Sequence, residues 1–236
     1  MSTFRVLMVC TANHCRSPIA QQLLQYDSSA KFGPDGAWQV DSAGTDVRAP
    51  WPMHDHARTV LAERIPEVGP HHSTDLIVEA VRHADLVLTA ARQHRSVVVT
   101  MVPAAIGRTF TILQFARLCD QVEPIVGRDS GELGRELVVQ AKLARSTLQP
   151  VPVEHDDLPD PMGRGLADFR LCADRLQEAV DSILRPVELL VPVRSVGGTA
   201  AVTPTPVAPG PPRIGRAAVA RPTVGRPPVA RGRRFR

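Results

Sequence analysis

Apolar positions along the chain fall into two alternating patterns. Residues 4–9 are an almost unbroken apolar run, as in a strand buried on both faces. From Ile19 the apolar residues return at helical spacing: Ile19, Leu23 and Tyr26, with Ala20 and Leu24 beside them. Ser17 suits the N-cap of that helix and Pro18 its first turn. Turn chemistry at Gly33-Pro34-Asp35-Gly36 separates it from a second strand over residues 38–41, which runs into Ser42-Ala43-Gly44-Thr45. Residues 55–63 read as a short helix with Ala57, Val60 and Leu61 inward, broken by Pro66 and Gly69-Pro70. A helix over 75–82, a buried strand over 84–89, a helix over 92–99 and a strand over 108–113 follow. Residues 132–148 repeat as a helix with Leu133, Leu137, Ala141 and Ala144 on one side. A last helix, residues 166–184, turns Phe169, Ala173, Leu176, Val180 and Ile183 inward, with Cys172 beside them as a small core residue. Strands alternating with helices at these spacings predict an α/β fold, a parallel sheet with helices on both faces.

Beyond Pro186 the pattern stops. Proline, alanine, valine, glycine, threonine and arginine dominate, and such a composition cannot bury a core, so residues 187–236 are expected to be a disordered basic tail. The net charge of +4 hides this division. Residues 1–188 hold 19 Lys and Arg against all 24 acidic residues, whereas residues 189–236 hold nine arginines and no acid. The tail therefore reads as a cationic arm for an anionic partner. Residues 119–153 lengthen the chain between the fourth strand and the last helix, and read as a helical insertion. Four cysteines in a chain of this length are not a secreted disulfide framework. No charged-then-apolar leader opens the chain, and Pro186, Pro192 and nearby charges interrupt the apolar stretches near its end. These features point to a cytoplasmic protein without stable membrane insertion.

The chemistry concentrates in Val9-Cys10-Thr11-Ala12-Asn13-His14-Cys15-Arg16-Ser17-Pro18, between the first strand and the first helix. Backbone N–H groups of such a loop have no strand or helix partner. Curled under a helix N-terminus, they form a nest for a dianion. The same positive potential favours a thiolate at Cys10, and the planar fork of Arg16 can hold two phosphate oxygens. Asn13 belongs to the few residue types that tolerate a left-handed backbone.

This stretch resembles the phosphate loop of the low-molecular-weight protein tyrosine phosphatases. The resemblance covers about residues 4–118 and 156–184, implies a phosphatase domain over residues 1–186 and specifies a four-stranded sheet. It implies hydrolysis of phosphotyrosine on a protein substrate, with Cys10 as nucleophile and the loop Thr11, Ala12, Asn13, His14, Cys15, Arg16 and Ser17 binding phosphate. Ser17 would also hydrogen-bond the departing thiolate. The pair Asp160-Pro161 stands where the family carries its general acid, whereas Asp156 and Asp157 read as a solvated acidic loop. Ser42 and His71 match residues that brace the loop from behind, Ser42 by bonding toward Asn13. Ala12 departs from the family's glycine, which would strain the loop by about 1 kcal/mol or more if that residue takes a positive φ. Thr74 and Met162 replace an arginine and an aromatic common in the family. Trp51 is the one aromatic in the segment where the family stacks a ring on the substrate, and it stands offset by a few residues. His54, Asp55 and His56 read as helix capping in preference to a metal site, and the family needs neither metal nor organic cofactor. Two other functions use the same anion nest. An arsenate reductase would here need an external thiol, since residues 73–118 contain no cysteine. A non-catalytic phosphotyrosine-binding module would have no use for Cys10 and Asp160.

Overall fold

In the computed structural model, which describes residues 2–190 except 148 and 150, four strands form one parallel sheet in the order β2-β1-β3-β4. These are β1 (Arg5–Cys10), β2 (Gln39–Gly44), β3 (Leu86–Thr89) and β4 (Thr109–Thr111). β1 is central, pairing Cys10 with Gly44 on one side and Val9 with Thr89 on the other. Its alternation explains the apolar run. Val6 and Met8 face the larger core, under α1 (Arg16–Phe32), α2 (Asp55–Ala62), α5 (Ile112–Cys119) and α8 (Leu166–Leu184). Leu7 and Val9 face a smaller core, under α3 (Val78–His83) and α4 (Arg92–Met101). A sheet covered on both faces leaves its strands no polar side, so they read as continuous hydrophobe.

The structure corrects several expectations. α1 begins at Arg16 with Cys15 as its N-cap, so Ser17 lies inside the first turn; its hydroxyl is committed elsewhere. Ile19, Ala20, Leu23 and Leu24 are fully buried, whereas Tyr26 is largely exposed. The third helix starts at Val78, not residue 75, because Asp75 bridges to Gly44 and Leu76 N donates to Gly44 O. The fourth strand ends at Thr111, whose Oγ1 accepts from Gln114 N and so starts α5 at Ile112.

Residues 119–153 contain the expected helix, α6 (Ser130–Thr147), but it is packed into the larger core. Leu133 and Leu137 are buried there, each contributing about 2 kcal/mol through lost apolar exposure. Ser130 anchors its start: its carbonyl accepts from Trp38 Nε1 at 3.0 Å and its hydroxyl donates to Gly36 O at 2.6 Å. Gly134 permits the close approach to the sheet, since a Cβ there would lie 2.6 Å from the Phe4 ring. Ahead of α6, β5 (Ile125–Gly127) pairs in parallel with β6 (Val187–Leu189) as a separate small sheet. The sequence reading begins the tail at residue 187, yet Val187 is fully buried; the domain therefore extends through β6. Residues 191–236, the rest of the expected tail, lie outside the described residues.

Candidate active site

β1 ends by delivering Cys10, buried, to the carboxyl edge of the sheet, and α1 opens six residues later. Asn13 shapes the loop between them. It is the one non-glycine residue with positive φ among those described, at 51°, and it is fully buried. Ala12 does not take a positive φ, so the missing glycine costs the loop no left-handed strain. Both amide protons and the carbonyl oxygen of the Asn13 side chain are engaged. Its Nδ2 donates to Ser17 Oγ at 2.9 Å and to Ser42 Oγ at 2.8 Å, and its Oδ1 accepts from Thr74 N at 2.9 Å. Its carbonyl oxygen accepts from Ser73 Oγ at 2.9 Å and lies 2.7 Å from His71 Nε2. One residue thus ties the loop to α1, β2 and residues 71–74.

Cys10 Sγ lies 3.0 Å from Ser17 Oγ. Because Asn13 donates to that oxygen, Ser17 has its own proton free for a thiolate. Gly44, opposite Cys10 in the neighbouring strand, lets β2 press against the loop: a Cβ there would lie 2.5 Å from Thr11 O and 2.9 Å from Asn13 N.

Arg16 is buried, with only 6% of its side chain exposed, and it reaches the far wall of the site. Nη2 donates to Asp160 Oδ2 at 2.5 Å and Nη1 to Leu158 O at 3.2 Å. Asp160 itself is 45% exposed, with Oδ1 accepting from Met162 N at 3.2 Å. The segment before it is not the solvated loop expected. Asp156, in the short helix α7 (Val153–Asp156), is only 4% exposed and pairs with Arg117 at 2.8 Å and Arg92 at 3.2 Å. Asp157 Oδ1 accepts from Arg92 N at 2.7 Å, and Leu158 N donates to Ala90 O at 2.8 Å. These contacts lash the acidic loop to α4, so that Asp160 projects over Arg16.

His94 is a site residue that sequence reasoning missed. It lies on α4, 2% exposed, with Nε2 2.9 Å from Thr11 Oγ1, while Arg16 Nη2 donates to the same oxygen at 3.5 Å. Burial first, and then the Arg16 charge, push its pKa down to about 4, so the ring is neutral near pH 7. No local signal marks it: a histidine three residues inside a polar helix looks like a surface residue.

Rings form the rim. His14 contacts Trp51 edge-on at 5.7 Å and His54 at 5.4 Å, and His54 stacks on Phe169 at 4.7 Å. Trp51 is half exposed beside the loop. His54 caps α2 by accepting from His56 N at 3.1 Å, and burial lowers its pKa, as it does that of His71. Cys15 is buried behind the loop and donates to Met162 Sδ at 3.1 Å; burial, then the neighbouring Cys10 and Asp160, push its thiol far up. It stays protonated where Cys10 is placed to react. Among the described residues no three His, Cys, Asp or Glu side chains gather as a metal site. Nor is any helix among them long and apolar enough to cross a membrane.

A buried thiol, a buried guanidinium and a half-exposed carboxyl around one loop are groups that suit nucleophilic displacement at phosphorus with proton transfer. Comparisons agree with that chemistry. Residues 5–129 match the model of a family described as low molecular weight phosphotyrosine protein phosphatase. The chain is similar to a protein-arginine-phosphatase of Geobacillus stearothermophilus, at 26% identity over 185 residues, 78% of this chain and 97% of the relative. It is also similar to the low molecular weight protein-tyrosine-phosphatase Etp of Escherichia coli (strain K12), at 32% identity over 110 residues, 47% of this chain and 70% of that one. A solved low molecular weight protein tyrosine phosphatase from T. tengcongensis superposes with a TM-score of 0.57 at 26% identity, covering 77% of this chain and 98% of the other.

Proposed function

Because the chain belongs to the low molecular weight phosphotyrosine protein phosphatase family, we propose that it hydrolyses phosphotyrosine on proteins through a phosphocysteine intermediate. The phosphate enters the loop of residues 11–17, where the backbone amides and the Arg16 fork hold its non-bridging oxygens. In taking the fork it replaces the Asp160 carboxyl, which turns to the leaving-group oxygen. Cys10 Sγ attacks phosphorus as the P–O bond to the tyrosine breaks, and Asp160 supplies the proton that the departing phenolate takes up. Asp160 then removes a proton from a water that attacks the phosphocysteine. Inorganic phosphate forms, and the sulfur leaves as a thiolate beside the Ser17 hydroxyl.

The observation that supports this reading is the 2.5 Å contact between Arg16 Nη2 and Asp160 Oδ2, which keeps the carboxyl beside the guanidinium to which this reading gives the phosphate. Ser42 and His71 act through Asn13 as positioning residues. The His14–Trp51 rim offers an aromatic wall to the phenyl ring. A nucleophilic thiol suits a reducing compartment, so the protein works in the cytoplasm, without metal or cofactor. The nine arginines of residues 189–236 raise its local concentration at an anionic partner.

Similarity to a protein-arginine-phosphatase favours a second reading, in which the scissile bond is the P–N bond of phosphoarginine. Matched peptides carrying phosphotyrosine or phosphoarginine separate the two. The first reading expects kcat/KM at least about tenfold higher for phosphotyrosine. A reversed preference assigns the arginine substrate, and absence of turnover with either, with phosphate binding retained, leaves a binding module.

A further inference from the structure

A cavity of about 340 Å³ opens between α4, α5, α6 and α7, outside the phosphate loop. Four arginines line it, Arg92, Arg95, Arg117 and Arg145, against one carboxylate, that of Asp156. Asp156 is already engaged by Arg92 and Arg117. Arg95 and Arg145 have no carboxylate partner among the described residues. Arg95 donates Nε to Thr109 O at 2.9 Å. Arg145 donates Nη2 to Thr109 O and to Gln114 Oε1, each at 3.1 Å, and its guanidinium lies 3.8 Å over the Phe110 ring.

This arrangement is costly for the protein groups by themselves. Like charges are gathered where water is partly excluded, and the Nε groups of Arg117 and Arg145 are buried with no partner. Burial, and then the charge of Arg95, push the Arg145 pKa down to about 10, a sign that its positive charge is poorly compensated. Burial lowers Arg95 in the same way. A bound anion would relieve both penalties: Arg95, held through Nε, keeps its Nη pair free to grip phosphate bidentately, and Arg145, held through Nη2, adds a donor from Nη1.

We propose that this cavity is a second anion site, distinct from the phosphate loop, which takes a small phosphate-bearing anion on the guanidiniums of Arg95 and Arg145. Phe110, Gln114 and the Thr109 carbonyl pre-set the two forks, so the site is ordered before the ligand arrives. Asp156 closes the other side of the cavity with its charge already taken up by Arg92 and Arg117, which leaves Arg95 and Arg145 to face the anion.

Side-chain NMR of the full chain labelled with 15N-arginine tests this, with pyrophosphate as the probe and Arg95→Lys and Arg145→Lys assigning the two Nε signals. The expected result is that both signals shift and saturate together, with a dissociation constant different from that read at Arg16. Arg95→Gln should weaken this binding at least tenfold and leave the Arg16 response unchanged. Pyrophosphate should also raise the melting temperature of the wild type more than that of Arg95→Gln, a readout that survives if either lysine variant fails to fold. The site is refuted if neither signal moves while Arg16 saturates. It is equally refuted if the shifts grow linearly without saturation, which indicates diffuse attraction to the arginine-rich chain.

Discussion

His94 Nε2 lies 2.9 Å from Thr11 Oγ1, joining the first turn of α4 to the first residue of the loop that follows Cys10. The burial of His94 has a consequence for stability. An unfolded histidine takes up a proton as pH falls through about 6.5. Folded His94 refuses it until about pH 4. Between those values the unfolded chain binds more protons, so stability is complete above about 6.5 and is lost as pH falls toward 4. His54 and His71 are shifted downward too and add to the same trend. For His94 the full effect is on the order of 3 kcal/mol. The melting temperature of the wild type is therefore expected to drop between about pH 6.5 and 4.5, and His94→Asn should flatten that drop. A variant with the wild-type pH slope would show that His94 is not the group responsible.

The features whose position is legible in the sequence are those written in neighbouring residues. Cys10, Asn13 and Arg16 sit on one short loop, and the bounds of α8, Leu166–Leu184, follow from its own periodicity. What stayed hidden depends on partners far along the chain. Asp156 reads as solvated until Arg92 and Arg117 are brought beside it, and His94 reads as exposed until α4 packs against the loop. Val187–Leu189 looks like tail because its pairing partner, Ile125–Gly127, lies some sixty residues earlier. The apolar pair Ile112-Leu113 suits strand and helix alike. There the deciding signal was present, since Thr111 and Gln114 have capping-box spacing.

Gly44 is the position where β2 and the phosphate loop touch without room for a side chain. Gly44→Ala places a Cβ 2.5 Å from Thr11 O and 2.9 Å from Asn13 N, both backbone atoms that cannot swing aside. The loop must shift by several tenths of an ångström, which misplaces the amides around the phosphate. A fall in kcat/KM of about a hundredfold is expected, with a loss of about 1–3 kcal/mol in stability. Steady-state kinetics beside a urea melt measure both. Unchanged kinetics would mean that the loop tolerates displacement and that its geometry is not set by β2.

Cys10 and Arg16 should separate chemistry from binding. Cys10→Ser removes the nucleophile and leaves the nest and the fork, so turnover is expected to fall below about a hundredth while phosphate or vanadate still binds. Arg16→Lys keeps the charge but cannot grip two oxygens, nor hold both Leu158 O and Asp160 Oδ2. Loss of both turnover and anion binding is expected. Calorimetry on the two proteins decides the matter: a serine variant that no longer binds the anion would give Cys10 a structural task instead.

Asp160 is the remaining assignment, and its test uses the leaving group. The carboxyl is 45% exposed and accepts from Arg16 Nη2 at 2.5 Å. A phenol of pKa about 10 departs slowly as its anion and needs a proton in the transition state, whereas a nitrophenol departs almost as readily without one. Asp160→Asn should therefore slow phenyl phosphate by about 10²–10³-fold and p-nitrophenyl phosphate far less, which steepens the dependence of rate on leaving-group pKa. Asp156 and Asp157 serve as internal controls, because both carboxyls are engaged by Arg92 or Arg117 on α4 and α5. Asp156→Asn is expected to lower the melting temperature by weakening the hold on Arg92 and Arg117, with the leaving-group dependence unchanged. If Asp160→Asn slows the whole ester series equally, the proton comes from another group and Asp160 acts only through its contact with Arg16.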